Sequence, residues 1–131
     1  MRKLVLALVI SSGAATALGA TGCKHAGSAK LEGRWKGTRA DGAGTAQDAA
    51  NAFALQTEIT AHGDKITVST PQSKGQQATY VVDDENKTTV VLHTDKDGPA
   101  NKETFAFSDD GKTMIWRLGE GRTITFQKVK E

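Results

Sequence analysis

From Leu31 onward, apolar residues recur at every second position, and turn residues interrupt the pattern every 8 to 12 positions or so, the signature of short strands. Leu31, Gly33 and Trp35 share one face, opposite Glu32, Arg34 and Lys36. Phe53, Leu55, Thr57 and Ile59 alternate with Ala54, Gln56, Glu58 and Thr60, and after a turn at His62-Gly63-Asp64 the apolar face resumes with Ile66 and Val68. Five further stripes follow: Ala78, Tyr80 and Val82; Val90 and Leu92; Phe105 and Phe107; Met114, Trp116 and Leu118; Ile124 and Phe126. The breaks between them are Asp83 to Lys87, a longer loop from Asp95 to Lys102, Ser108-Asp109-Asp110-Gly111-Lys112 and Gly119-Glu120-Gly121. The expected fold is therefore all-β. Eight strands form an antiparallel up-and-down meander that closes into a small barrel, since closure removes the exposed edges.

The longest connection, Gly37 to Ala52, separates strands 1 and 2. Thr45 with Asp48 three residues on has the spacing of a capping box, and Ala46, Ala49, Ala50 and Phe53 fall on one helical face. A short helix and an irregular loop running into the second strand are both compatible with these residues.

The inward positions are bulky. Side chains such as Trp35, Leu55, Tyr80, Phe105, Trp116 and Leu118 can fill an eight-stranded barrel, leaving a shallow pocket at one mouth with Phe53 and the helix-like segment as its lid. Strands of six to eight residues reach only about 20 to 26 Å.

A search for catalytic chemistry finds no constellation. His25 precedes the first strand, His62 sits in a turn and His93 falls on an outward strand position, so all three read as solvated. Gly-x-Ser-x-Gly is absent. The acidic runs at Asp83 to Glu85 and Asp109-Asp110 lie where turns need them. Asp95 to Glu103 lacks the ligand spacing of a calcium loop. The chain is not expected to be an enzyme, and no metal or cofactor is expected.

The N-terminus has its own pattern. Arg2 and Lys3 precede the apolar run Leu4 to Ile10, then small residues from Ser11 to Gly22 lead to Cys23, the only cysteine. Seven strongly apolar residues fall well short of the roughly 20 that a membrane-spanning helix needs. Leu18-Gly19-Ala20-Thr21-Gly22-Cys23 resembles a bacterial lipoprotein signal peptide, with Ala20 where that pattern prefers Leu. The resemblance implies removal of residues 1–22, lipidation of Cys23, a tether over residues 23–30, flexible by its small polar composition, and a domain over residues 31–131. On the same resemblance, Lys24 after the cysteine implies the outer membrane, facing the periplasm. The chain carries 17 basic and 15 acidic residues, and Arg2 and Lys3 leave with the signal, so the remainder is balanced. That balance gives no electrostatic case for a nucleic-acid partner.

Gly33-Arg34-Trp35, on the first strand of such a meander, resembles the G-x-W signature of the lipocalins and the wider calycin group, and in particular the small bacterial lipocalin-like lipoproteins. The resemblance covers the mature domain by topology and this tripeptide by motif; the chain is much shorter than most lipocalins. It implies a barrel whose Trp35 closes one end beneath a late basic residue, with Arg122 and Lys128 both in reach, and a flap after the first strand. By the same token Trp35, Phe53, Tyr80 and Trp116 are the candidate ligand-binding residues. The function so implied is that of a monomeric, membrane-tethered envelope protein binding a small hydrophobic ligand or envelope lipid at the barrel mouth. The alternative is a periplasmic interaction protein, an enzyme inhibitor or envelope scaffold, working through Gly37 to Ala52 and Asp95 to Lys102.

Overall fold

The computed structural model describes residues 25–130, so Cys23 and the signal segment lie outside the described residues. Nine strands and one helix follow in order: β1 (His25–Ala26), β2 (Gly33–Asp41), a 3₁₀ turn (Gly44–Ala46), α1 (Gln47–Leu55), β3 (Glu58–His62), β4 (Lys65–Thr70), β5 (Ser73–Glu85), β6 (Thr89–Thr94), β7 (Glu103–Phe107), β8 (Thr113–Gly119) and β9 (Arg122–Val129). Strands β2 to β9 pair antiparallel in sequence order, and β9 closes on β2 with Lys128 opposite Trp35, making an eight-stranded barrel. The expected class and topology are those observed.

The interior is the one that period-two patterning selects. Trp35, Ile59, Tyr80, Val82, Val90 and Met114 are fully buried, with Phe105 and Phe126 among them. Two members of the expected inward set are not there: Leu55 is 54% exposed and Leu118 is 40% exposed. Leu118 lies on the inward parity of β8 but near its end, beyond the packed layers. Leu55 is displaced for a different reason: it belongs to α1, so the alternation from Phe53 to Thr57 is not a strand.

The helix substitutes for a strand that is too short. β2 runs nine residues and β3 five, so β3 pairs only with Gly33 to Lys36. Beyond that point, α1 side chains meet the exposed edge of β2. Ala40 N–H donates to Asn51 Oδ1 at 2.9 Å, and Gln47 Nε2 donates to the Ala40 carbonyl and, at 3.2 Å, to Asn51 Oδ1. Facing Asn51 toward β2 sets the helix rotation. Ala54 becomes its buried residue, with Ala50 and Phe53 packed beside it, while Ala46 and Ala49 are exposed. The capping box does not form: Ala46 occupies the N-cap with no side-chain bond, because a 3₁₀ turn leads into the helix. Gly37 makes the approach feasible, since a Cβ there would lie 2.0 Å from the Ala54 carbonyl oxygen.

Two connections also differ from expectation. Asp83 to Glu85 continue β5, and the turn is the shorter Asn86 to Thr88, where Asn86 Oδ1 accepts N–H bonds from Thr88 and Thr89 at 3.0 Å each. The segment read as a flexible tether is laid on the barrel from His25 onward. β1 pairs with Val81 and Val82 of β5, Ser28 N–H donates to the Tyr80 hydroxyl at 2.9 Å, and Leu31 is fully buried. Small polar residues gave no sign of this because the partners are distant in sequence: besides the main-chain pairing, His25, Ser28 and Lys30 all reach the Glu85 carboxylate at 2.9 to 3.3 Å.

Candidate functional site

The two ends of the barrel are built differently. At the closed end, Trp35 Nε1 donates to the Leu31 carbonyl at 2.9 Å, and Phe107 meets the indole edge-on at 5.7 Å and 64°. Lys128 is the late basic residue, its Nζ 5.4 Å from the ring centroid, which settles the choice between it and Arg122. Gly33 leaves room for that side chain, because a Cβ would sit 2.8 Å from Lys128 Cε, and its φ of +120° suits glycine. Burial, the larger influence, raises the Tyr80 pKa despite the Ser28 hydrogen bond that favours the ionised form. Trp35 and Tyr80, both expected near a ligand, have no exposed surface.

The other end opens where β5 and β6 part. Their pairing stops at Tyr80 and Thr94. Just beyond, Asp95 caps the seam: Thr79 N–H donates to its Oδ1 at 3.0 Å, and its own N–H donates to the Thr79 carbonyl at 2.9 Å. The chain then crosses from Asp95 to Lys102, held by Gly98 N–H on the Thr94 carbonyl at 2.9 Å, and the separated strands leave a cleft of about 320 Å³. Ile66, Val68 and Ala78 form one wall; Leu92, Phe105 and Trp116 form the other. Trp116 stacks on Phe105 at 5.8 Å and 22°, and its Nε1 donates to Glu103 Oε1 at 2.9 Å. Gln76, Thr94, Lys96, Asp97 and Glu103 supply the polar rim.

A second cleft, of about 220 Å³, lies beneath α1, where Phe53 and Ala50 face Ala40, Ile124 and Leu118. The expected lid residue Phe53 thus sits over this smaller space, and Trp116 lines the larger one. The four candidate ligand residues are not brought together.

Several polar groups outside the clefts form pairs within the fold. Arg34 grips Glu58 with both ends of its guanidinium, Nε to Oε1 at 3.1 Å and Nη2 to Oε2 at 3.2 Å, and holds that carboxyl below its ordinary pKa. His62 meets Glu32 at 2.9 Å in solvent. His93 is not the solvated residue expected: its Nδ1 lies 2.7 Å from Asp83 Oδ2, which also pairs with Lys102 Nζ at 3.0 Å, and the His93 and Asp83 side chains are only 14% and 6% exposed. Among the described residues, no group of three or more His, Cys, Asp or Glu side chains is placed to hold a metal ion, and no helix is long and apolar enough to cross a membrane.

Glu103 is the site residue that sequence reasoning missed. Its signal was parity: Glu103, Phe105 and Phe107 fall on one face, so a carboxylate begins an inward apolar stripe.

These features define a closed eight-stranded antiparallel barrel, packed at one end and carrying a ligand-sized apolar cleft at the other. No protein-family model matches the chain, and neither does a curated protein or a solved structure.

Proposed function

We propose that this chain is a lipocalin-like envelope lipoprotein, anchored through Cys23, that carries a small, mainly apolar molecule at the open end of its barrel. The observation that carries the binding reading is the cleft of about 320 Å³ walled by Ile66, Val68, Ala78, Leu92, Phe105 and Trp116. That volume stands at the lower end of small-molecule sites, and an apolar wall with a few polar rim groups is their usual composition. The packed closed end, with Lys128 over Trp35 behind Gly33, supports the lipocalin-like reading. The protein acts as a monomeric binder, not as an enzyme. Its address, the outer membrane facing the periplasm, rests on the Leu18 to Cys23 pattern and on Lys24.

Native mass spectrometry of the protein gently purified from its own envelope tests the carrier. The expected result is a co-purified small molecule, lost on Ala78→Leu, which extends a side chain into the cleft. A consistently empty wild-type protein overturns the reading. Mass spectrometry of the N-terminal peptide should find acylated Cys23; a free thiol, or cleavage elsewhere, removes the anchor.

A second reading is supported by the exposure of Leu55 and Leu118, two large apolar side chains in water. In it the barrel presents α1 and the 95–102 loop to a protein partner, as an inhibitor or scaffold would. Retention of a specific envelope protein by the wild type, but not by a Leu55→Ser, Leu118→Ser double variant, would favour it.

A further inference from the structure

The open cleft is apolar on its walls but asymmetric in charge at its rim. Glu103 is half-buried at the start of β7, and among the described residues its one polar contact is the Trp116 indole N–H on Oε1. The carboxylate is acceptor-only when ionised, with lone pairs to spare on both oxygens after that single bond. Lys96 and Asp97, the other charged rim residues, stand exposed on the 95–102 loop, where water screens them and long side chains are free to move. A strand-borne carboxylate pinned by an indole against stacked aromatics is held in place before any ligand arrives. In that setting a charge-assisted hydrogen bond is worth more than one made on the loop.

We infer that the molecule carried here is an amphiphile with a cationic, hydrogen-bond-donating head, such as a primary ammonium, bound by Glu103 while its apolar body lies along Trp116, Phe105 and Val68. Lys96 does not select for an anionic head, because its solvated ammonium gains little by pairing at an exposed site. The inference rests on the binding reading above. It adds the identity of the polar group and the residue that recognises it.

Three probes of equal chain length separate the cases: octylamine, octanol and octanoate, titrated against the purified protein by isothermal calorimetry. Octylamine is expected to bind about tenfold or more tighter than octanoate, with octanol between them. Glu103→Gln keeps a carbonyl oxygen for the Trp116 N–H but removes the charge. It should abolish the preference for octylamine over octanol and octanoate. A Glu103→Gln protein that still prefers octylamine, or a wild type that prefers octanoate, overturns the inference while leaving the cleft as a binding site. If octanol also fails to bind and Ala78→Leu changes nothing, the binding reading falls and takes this one with it.

Discussion

The closed and open ends of this barrel draw on the same inward periodicity and the same residue types, yet one end is filled and the other is not. Trp35 and Trp116 show the difference most directly. Trp35 is fully buried, and its indole N–H is taken by a main-chain carbonyl, a partner fixed by the fold. Trp116 is half-buried, and its N–H is taken by a side-chain carboxylate at a cleft. The partly buried hydrophobics packed against the core, Ala50, Phe53, Val68, Ala78 and Trp116, all line one of the two clefts at the open end. The closed end uses its aromatics for closure; the open end leaves theirs facing space.

The largest expected effect separates the two tryptophans. Trp35→Ala empties a site with no exposed surface and should cost about 3–5 kcal/mol, read as a fall in the urea midpoint. Trp116→Ala removes a side chain already half in contact with water and should cost less than half as much, while weakening octanol binding. Equal losses of stability would dissolve the distinction between the ends.

The next effect concerns what positions the helix over the open end. In Gly37→Ala, the new Cβ would stand 2.0 Å from the Ala54 carbonyl oxygen and 3.2 Å from that of Thr57, both backbone atoms. No rotamer change relieves such a contact, so α1 must lift from β2, at a cost of roughly 1–3 kcal/mol. The Ala40 amide, held by Asn51, should then lose hydrogen-exchange protection, while the Trp35 indole resonance stays unchanged. A shift at Trp35 would show that the two ends are not independent.

How much of this was legible in the sequence follows from which contacts are local. Parity alone identifies the walls, because side chains on a strand alternate whatever their partners, and Leu31 through Phe126 were placed inward on that basis. It fails where an element changes type. Phe53, Leu55 and Thr57 alternate as a strand would, but Asn51 and Gln47 satisfy the β2 edge eleven and seven residues from Ala40, and this tertiary demand turns the segment into helix. Parity also cannot report height within the barrel, so Leu118 was counted with Met114 and Trp116 although it lies at the rim. Glu103 was visible by its parity with Phe105, yet its bond to Trp116 joins residues from two strands and no local spacing encodes it. The Asp83 cluster escaped for the same reason, since a run of acids read as a turn is drawn into a strand by pairing with β6.

That cluster gives the smallest effect and a test of how the open end is tied down. Asp83 lies on the barrel wall and Lys102 at the end of the loop that crosses the mouth, so their 3.0 Å pair fastens the loop to β5. Burial alone would raise the Asp83 pKa, but hydrogen bonds from His93 and Lys102 outweigh it and hold the carboxyl below its ordinary value of 3.8. A folded-state pKa below the unfolded one means that the ionised carboxylate stabilises the fold fully above pH 3.8 and progressively loses that contribution as pH falls through the lowered value. Asp83→Ala should therefore cost about 1–2 kcal/mol at pH 6, and the gap from wild type should narrow as the unfolding titration is taken below the ordinary carboxylate range. At pH 6 the loop amides near Gly98 should exchange faster in the variant, with those of β2 unaffected. If the gap persists undiminished in acid, the contribution of Asp83 is packing and not charge, and the loop over the cleft is held by its other bonds, those of Asp95 with Thr79 and of Gly98 with Thr94.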